Sequence, residues 1–206
     1  AYPNNFPDEV LHLMDGSPKI CNYLDIPLQH INDKLLLSMR RGHSKKQTID
    51  FLDKVRRTVP GIALRTTLMV GYPGESKEDF QELYDFVEAV RFDRLGVFTY
   101  SPEEGTRAFK LGDPIPQAEK NRREEAIMAL QASISFEINQ AKVGKIYRVL
   151  IDRKDGEYIV GRTEFDSPEV DNEVLIPGQA GLLPGQFADI RITKAEEYDL
   201  YGKPLD

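Results

Sequence analysis

Between Tyr23 and about Lys142, short apolar runs alternate with stretches whose apolar residues recur every three or four positions. Tyr23-Leu-Asp-Ile-Pro-Leu28 predicts a strand. Ser44, with Gln47 three residues on, predicts a helix opened by a capping box. Ile49, Leu52, Val55 and Val59 give that helix one apolar face, and Pro60-Gly61 ends it. The run from Ile62 to Val70 is nearly all apolar or β-branched, as expected of a parallel strand buried on both faces. Gly71-Tyr-Pro-Gly74 turns the chain, and Ser76 caps a helix whose expected buried face is Phe80, Leu83, Tyr84, Val87 and Val90. Arg94 to Tyr100 predicts another strand. A long helix from about Gln117 to Lys142 carries Ile127, Leu130, Ile134, Ile138 and Ala141 on one stripe. Alternation of this kind means parallel strands with right-handed crossovers, and ligands of such sheets sit at the C-terminal strand ends. The loops at Gln29-His30, Gly71 to Glu75 and Ser101 to Thr106 are therefore where a site is expected. The units are too few for a whole barrel, and Ala1-Tyr-Pro-Asn4 reads as the end of a strand, so the barrel starts part-way round.

Beyond Gly144 the pattern changes to short β-rich segments at 145–152, 157–164, 173–176 and 186–193, with Asp155-Gly156, Pro177-Gly178 and Pro184-Gly185 as turns. The expected fold class is thus α/β, with a barrel-type domain at 1–143 and a small all-β barrel at 144–206. The net charge of −7 disfavours a nucleic-acid partner, which calls for a surplus of Lys and Arg. The β-module concentrates the imbalance: from Lys145 on, eight basic face thirteen acidic side chains, a net of −5. One cysteine, Cys21, excludes an internal disulfide and fits a reducing compartment. Apolar runs are too short to span a bilayer and no leader opens the chain, so a cytoplasmic protein without membrane attachment is expected.

Three loop motifs in order carry a family resemblance: Asp25-Ile-Pro-Leu-Gln-His30 with Ser38-Met-Arg-Arg41, Leu64-Arg-Thr-Thr-Leu-Met-Val-Gly-Tyr-Pro-Gly-Glu75, and Phe98-Thr-Tyr-Ser-Pro-Glu-Glu-Gly-Thr106. They resemble the later barrel motifs of the radical-SAM methylthiotransferases. Gly161-Arg-Thr163 before Asp166-Ser-Pro-Glu-Val-Asp171 resembles that family's TRAM domain, an OB-like barrel. With Glu197-Tyr-Asp-Leu-Tyr-Gly202, the likeness leans to the branch that modifies a ribosomal protein rather than the tRNA-modifying branch. The fold so implied is the latter half of a partial TIM-type radical-SAM barrel followed by the TRAM barrel. The resemblance implies S-adenosylmethionine and two [4Fe–4S] clusters as cofactors. A deoxyadenosyl radical removes a C–H hydrogen, here from the β-carbon of an aspartate on the twelfth small-subunit ribosomal protein, and a methylthio group replaces it. Clusters need several thiolates, and Cys21 alone cannot hold one, so the reading is a fragment whose clusters are ligated outside it and which is inactive by itself. The alternatives are a tRNA-adenosine methylthiotransferase with tRNA as partner, and a non-catalytic binding protein.

The cofactor side of the resemblance falls on Gln29, His30, Arg41, Arg65, Thr67, Gly71, Gly74 and Glu75. Arg65 draws notice from the residues alone, because a guanidinium inside an apolar strand needs an anion; a ligand carboxylate and an ion pair with another strand both meet that need. Thr67 shares its face by alternation. The substrate side falls on Tyr100, Ser101, Glu104 and Thr106 at the last strand's end. The acidic loop bearing Glu164, Asp166, Glu169 and Asp171 is the expected docking surface for a basic small-subunit ribosomal protein. No metal ligand is expected: His30 has no second ligand at useful spacing, and Cys21 reads as an inert thiol. No side chain is assigned a catalytic role of its own.

Overall fold

The structure, a computed structural model, describes residues 3 and 6–205. It divides into two compact units, 1–20 with 24–131 and 21–23 with 132–206. The strand end expected at Ala1 to Asn4 lies outside the described residues apart from Pro3.

The first unit runs α1 (Asp8–Gly16), β1 (Tyr23–Asp25), α2 (Asp33–Ser38), α3 (Lys45–Thr58), β2 (Ala63–Val70), α4 (Lys77–Val90), β3 (Arg94–Thr99), a 3-10 turn at Ala108–Leu111 and α5 (Gln117–Gln140), whose last turns belong to the second unit. The strands form a sheet in the order β1-β2-β3, with β2 and β3 parallel. Both expected caps form: Ser44 and Gln47 close a capping box on α3, and Ser76 and Asp79 close one on α4. β1 is shorter than the sequence suggested, because Pro27 has no N–H for a ladder; only an isolated bridge, Gln29 to Leu68, resumes the pairing. α1, which the sequence reading passed over, has no side-chain cap and is anchored by Leu11 and Met14.

Two further expectations need correction. β2 is not buried on both faces: Leu64, Thr66, Leu68 and Val70 are buried, whereas Arg65, Thr67 and Met69 are half-exposed. In the parallel register the latter stand beside Arg94, Gly96 and Phe98, so these six residues share one face of the sheet, buried at Arg94 and open toward Phe98. The buried face of α5 is also not the apolar stripe. Ile127 and Ile134 are buried, but their companions are Lys120, Arg123, Gln131, Ser135 and Asn139, while Leu130 and Ile138 are only half-buried.

Those polar groups are buried because they complete the backbone of the loops. Lys120 Nζ donates to Tyr100 O (2.8 Å) and pairs with Asp113 (2.5 Å to Oδ1). Gln131 donates to Phe92 O (2.8 Å). Arg123 donates to Glu75 O (3.2 Å) and pairs with both Glu75 Oε2 (3.3 Å) and Glu119 (2.8 Å). The Glu75 side chain is 0% exposed and also accepts the Gly71 N–H. His30 Nδ1 accepts the Asn32 N–H, so a neutral ring carries its proton on Nε2, which faces Glu75 Oε1 at 3.7 Å, beyond hydrogen-bond range. Gly71 has φ 76°, and a Cβ there would lie 2.4 Å from Lys120 Cγ; only glycine lets the lysine pass.

The second unit is a closed barrel, β4 (Ile146–Asp155), β5 (Tyr158–Arg162), β6 (Glu173–Pro177), β7 (Phe187–Ala195) and β8 (Asp199–Pro204), in the order β4-β5-β6-β8-β7. Every pairing is antiparallel except β6 with β8. Alternate residues fill the interior: Val149, Ile151, Ile159, Val174, Ile176, Ile190, Ile192 and Leu200. The expected α/β unit followed by a small β-barrel is therefore the observed fold class. The sequence reading supplied four strands; β8 is the fifth, and it closes the barrel by pairing with both β6 and β7. Among the described residues no helix is long and apolar enough to cross a membrane.

Removing the charge at the centre of the loop network has a calculable direction. Glu75→Gln leaves the Arg123 guanidinium, 4% exposed, with Glu119 alone, and should cost the first unit about 3 kcal/mol in chemical denaturation of the whole chain. Glu119 itself is held down to about 2 by its hydrogen bonds from Arg122 and then Arg123. Its folded value lies below its unfolded one, so its contribution is complete above about pH 4.5 and is lost as pH falls toward 2. Carboxyl chemical shifts followed in an acid titration should show Glu119 among the last glutamates to protonate.

Candidate functional site

Three loops converge at the ends of β1, β2 and β3 on a cleft of about 590 Å3. Gln29 contributes from the first loop, Ser38 to Arg41 from the end of α2, Met69 and Tyr72 from β2 and its turn, and Phe98, Tyr100, Ser101, Glu103, Thr106, Arg107 and Ala108 from β3 and the loop after it. Two of these residues hold backbone conformations that favour glycine. Gln29 has φ 72°, locked by bonds from its N–H to Thr67 O (2.9 Å) and from the Met69 N–H to its carbonyl (2.8 Å). Arg40 has φ 56° and sits just beyond the last turn of α2, the left-handed position at which helices usually place glycine. Strain of this kind costs about 1–3 kcal/mol per residue and concentrates where a side chain must be presented to a ligand.

Leu35, Tyr72 and Tyr100 form a small buried cluster below the cleft, with the two rings edge to face at 5.4 Å. Tyr72 Oη lies 3.2 Å from Ser38 Oγ. Tyr100 is 4% exposed, and its hydroxyl is shielded from solvent without a hydrogen-bond partner. Burial, then the neighbouring Tyr72, Asp113 and Glu103, raises its pKa, so it stays protonated and able to donate. Charge in the lining is lopsided: Arg40, Arg41 and Arg107 face Glu103 alone.

The residues singled out from sequence divide into those that reach this cleft and those that support it. Gln29, Arg41, Tyr100, Ser101 and Thr106 line it. Arg41 also donates to Pro27 O, and Thr106 caps the following turn through Phe109 N (3.2 Å). Arg65 pairs with Asp25 on β1 (3.0 Å) and reaches Thr67 Oγ1 (3.4 Å), which is the ion pair with another strand. The side chains of His30 and Glu75 are wholly enclosed on the other side of the loops, and Gly71 lies under Lys120. Gly74 makes the turn and accepts a bond from Lys34 Nζ (3.1 Å). Glu104 is exposed and outside the lining. Met69, Tyr72, Arg40 and Arg107 are lining residues that the sequence reading left out of its site. Alternation from Thr67 points to Met69, and the Gly-Tyr-Pro-Gly turn contains Tyr72, but nothing local marks Arg107.

The acidic loop of the β-barrel is less uniform than its composition. Asp166 is buried and accepts from Thr163 Oγ1 (2.5 Å). Asp171 accepts from Tyr23 Oη (2.7 Å) and Ser167 N (2.8 Å). Only Glu164 and Glu169 of the four are exposed, the latter at φ 68°. Three of the barrel's eight cations are matched within it: Arg153 grips Glu173 in two-point fashion (2.6 and 3.0 Å), Arg162 pairs with Asp152, and Lys194 with Glu196.

An iron–sulfur cluster does not fit these residues: the chain's one cysteine, Cys21, is exposed, and no group of three metal-ligating side chains occurs among the described residues. A nucleoside-sized ligand fits the cleft in volume and in its polar lining.

Comparison with known proteins places these features. Residues 2–87 match the Radical SAM superfamily and residues 143–205 match the TRAM domain. The chain is 54% identical over 207 residues to the ribosomal protein uS12 methylthiotransferase RimO of Christiangramia forsetii, aligning 100% of this chain with 46% of that protein. It is 55% identical to the protein of the same name from Flavobacterium johnsoniae (99% of this chain, 47% of the relative) and 52% identical to that of Phocaeicola vulgatus (100% and 48%). The chain therefore spans about half the length of the curated relatives it matches. With both domain matches in that order, and likeness to these relatives along its whole length, the chain belongs to the radical-SAM methylthiotransferase family.

Proposed function

We propose that the chain is the substrate-engaging part of an enzyme that methylthiolates an aspartate of ribosomal protein uS12, using S-adenosylmethionine and iron–sulfur clusters held by residues outside this sequence. The observation that carries the reading is identity above 50% with uS12 methylthiotransferases along all of this chain, both units included. When bound, S-adenosylmethionine and the clusters supply the radical and the methylthio group; this chain binds, orients and shields. Gln29 and Arg41 lie where the loops after β1 and α2 offer polar groups to S-adenosylmethionine, with Arg65, Thr67, Gly71 and Gly74 in the strand and turn behind them. His30 and Glu75 keep those loops in place. Tyr100, Ser101 and Thr106 form the wall on the substrate side, and Glu104 stands exposed beside it.

The β-barrel takes the protein partner. Its net charge of −5, with Arg153, Arg162 and Lys194 already paired, opposes phosphate and favours a Lys- and Arg-rich ribosomal protein. Glu164 and Glu169 are the carboxylates available for that contact, while Asp166 and Asp171 shape the loop.

The test is a paired titration of the chain with uS12 and with tRNA at two salt concentrations. Binding to uS12 that weakens with salt, and weakens several-fold further in Glu164→Gln/Glu169→Gln, is the expected result; preferential binding to tRNA replaces this reading with the tRNA-modifying one. The chain alone, after iron and sulfide reconstitution, is expected to release no 5′-deoxyadenosine from S-adenosylmethionine by chromatography, because one thiolate cannot hold a cluster. Release of the nucleoside overturns that expectation.

A further inference from the structure

We propose that the groove between α3 and α4, on the outer helical layer of the first unit, docks a Lys- and Arg-rich amphipathic helix of a partner protein. The groove encloses about 600 Å3 and shares no lining residue with the cleft at the strand ends. Two stripes face each other across it. One runs along α3 from Lys45 through Ile49 and Leu52 to Arg56; the other runs along α4 from Glu78 through Glu82 and Phe86 to Val90. Steps of three or four residues keep each stripe on one helix face for about three turns. Two polar straps span the groove. Lys45 Nζ pairs with Glu82 Oε1 (2.6 Å) at the start of α3, and Arg56 donates to Arg91 O (3.0 Å) near its end. The helices therefore lie side by side in the same direction, with a channel left between them.

The floor of the channel is apolar. Leu52 and Phe86 close it from below, Ile49 and Val90 are only half-buried, and Ala89 is exposed. The opposite flank of α3 is covered: Phe6 packs on Phe51, with ring centroids 5.5 Å apart, and Asp8 of α1 pairs with Lys54. On the α4 side, no element among the described residues lies over the floor. An apolar channel walled by two helical ridges fits a third helix, whose own ridges settle between them. The rim selects the charge of that helix. Four carboxylates and two cations line the groove, and both cations are engaged in the straps. Asp53, Glu78 and Asp85 are exposed and pair with no cation among the described residues; Asp85 takes only the neutral Gln81 amide (2.7 Å). A helix with one apolar stripe flanked by Lys and Arg covers the floor and meets these carboxylates, whereas an acidic helix is repelled by them.

The experiment titrates the whole chain by calorimetry with three blocked synthetic peptides of about 14 residues, the length of α3 and of α4. They are a Leu/Lys amphipathic helix, a scrambled peptide of the same composition, and a Leu/Glu amphipathic helix. Asp53→Asn/Asp85→Asn removes rim charge, and Ala89→Trp fills the channel from an exposed position. Glu164→Gln/Glu169→Gln removes the same number of charges from the β-barrel, and circular dichroism checks that each variant is folded. The expected result is that the Leu/Lys helix binds, that salt weakens it, and that it exceeds the other two peptides by about tenfold. Its affinity should fall by about tenfold in both groove variants and hold in the barrel variant. Unchanged affinity in either groove variant, or an equal loss in the barrel variant, overturns the proposal. So does a dimer in sedimentation that Ala89→Trp abolishes, because the occupant is then a second copy of the chain. The peptides carry no uS12 sequence and the barrel variant leaves the groove intact, so this titration and the one with uS12 fail separately.

Discussion

The cleft depends on a set of buried donors along one face of α5. Burying the ammonium of Lys120 and the guanidinium of Arg123 costs several kcal/mol each unless both charge and hydrogen-bonding capacity are met. Here they are met by two carboxylates, Asp113 and Glu75, and by two loop carbonyls, Tyr100 O and Glu75 O. Gln131 does the same for Phe92 O without a charge. The helix therefore packs on the sheet unit less by apolar fit than by completing the backbone of the loops beside it. Because Glu75 also takes the Gly71 N–H, and Lys120 runs across the bare Cα of Gly71, the turn after β2 has one arrangement that satisfies all partners. A turn so determined can hold Tyr72 in the cleft lining without contributing any ligand atom of its own from Glu75 or His30.

That economy explains which parts of the molecule were readable in the chain. Alternation of apolar runs with 3.6-residue periodicity located α3, β2, α4 and β3, and the helix caps fell at Ser44, by its Ser-x-x-Gln pattern, and at Ser76, because these are local chemistry. The face of α5 was not readable from hydrophobicity: Lys120 and Arg123 look like solvated residues until the carbonyls and carboxylates that receive them are known. β8 escaped for a related reason. Its Tyr-Gly-Lys-Pro run has no clean alternation, and it is a strand because β6 and β7 offer it two edges. Gly202 is part of that closure, since a Cβ there would meet Ile190 Cγ2 at 2.3 Å.

The site shows the same division. The three loops picked out by the rule that ligands gather at C-terminal strand ends all contribute to the cleft lining, but a loop rule does not say which way a side chain points. His30 and Glu75, adjacent in sequence to cleft residues, point away from it, whereas Arg107, with no periodic or motif signal, lines it. In the β-barrel, four acidic residues on one loop suggested four equal contacts. Thr163 hydroxyl and Tyr23 hydroxyl donors, with the Ser167 N–H, have already claimed Asp166 and Asp171.

Charge in this chain is sorted by task. The β-barrel carries most of the negative excess and neutralises two of its four arginines, Arg153 and Arg162, at close range through Glu173 and Asp152. The cleft does the reverse: it collects arginines, of which Arg40 and Arg107 are matched to no carboxylate among the described residues. Unpaired cations inside an acidic chain are not needed for solubility, and Arg40 adds backbone strain to the arrangement. The cleft lining and the exposed loop of the barrel, with Glu164 and Glu169, therefore present opposite charge.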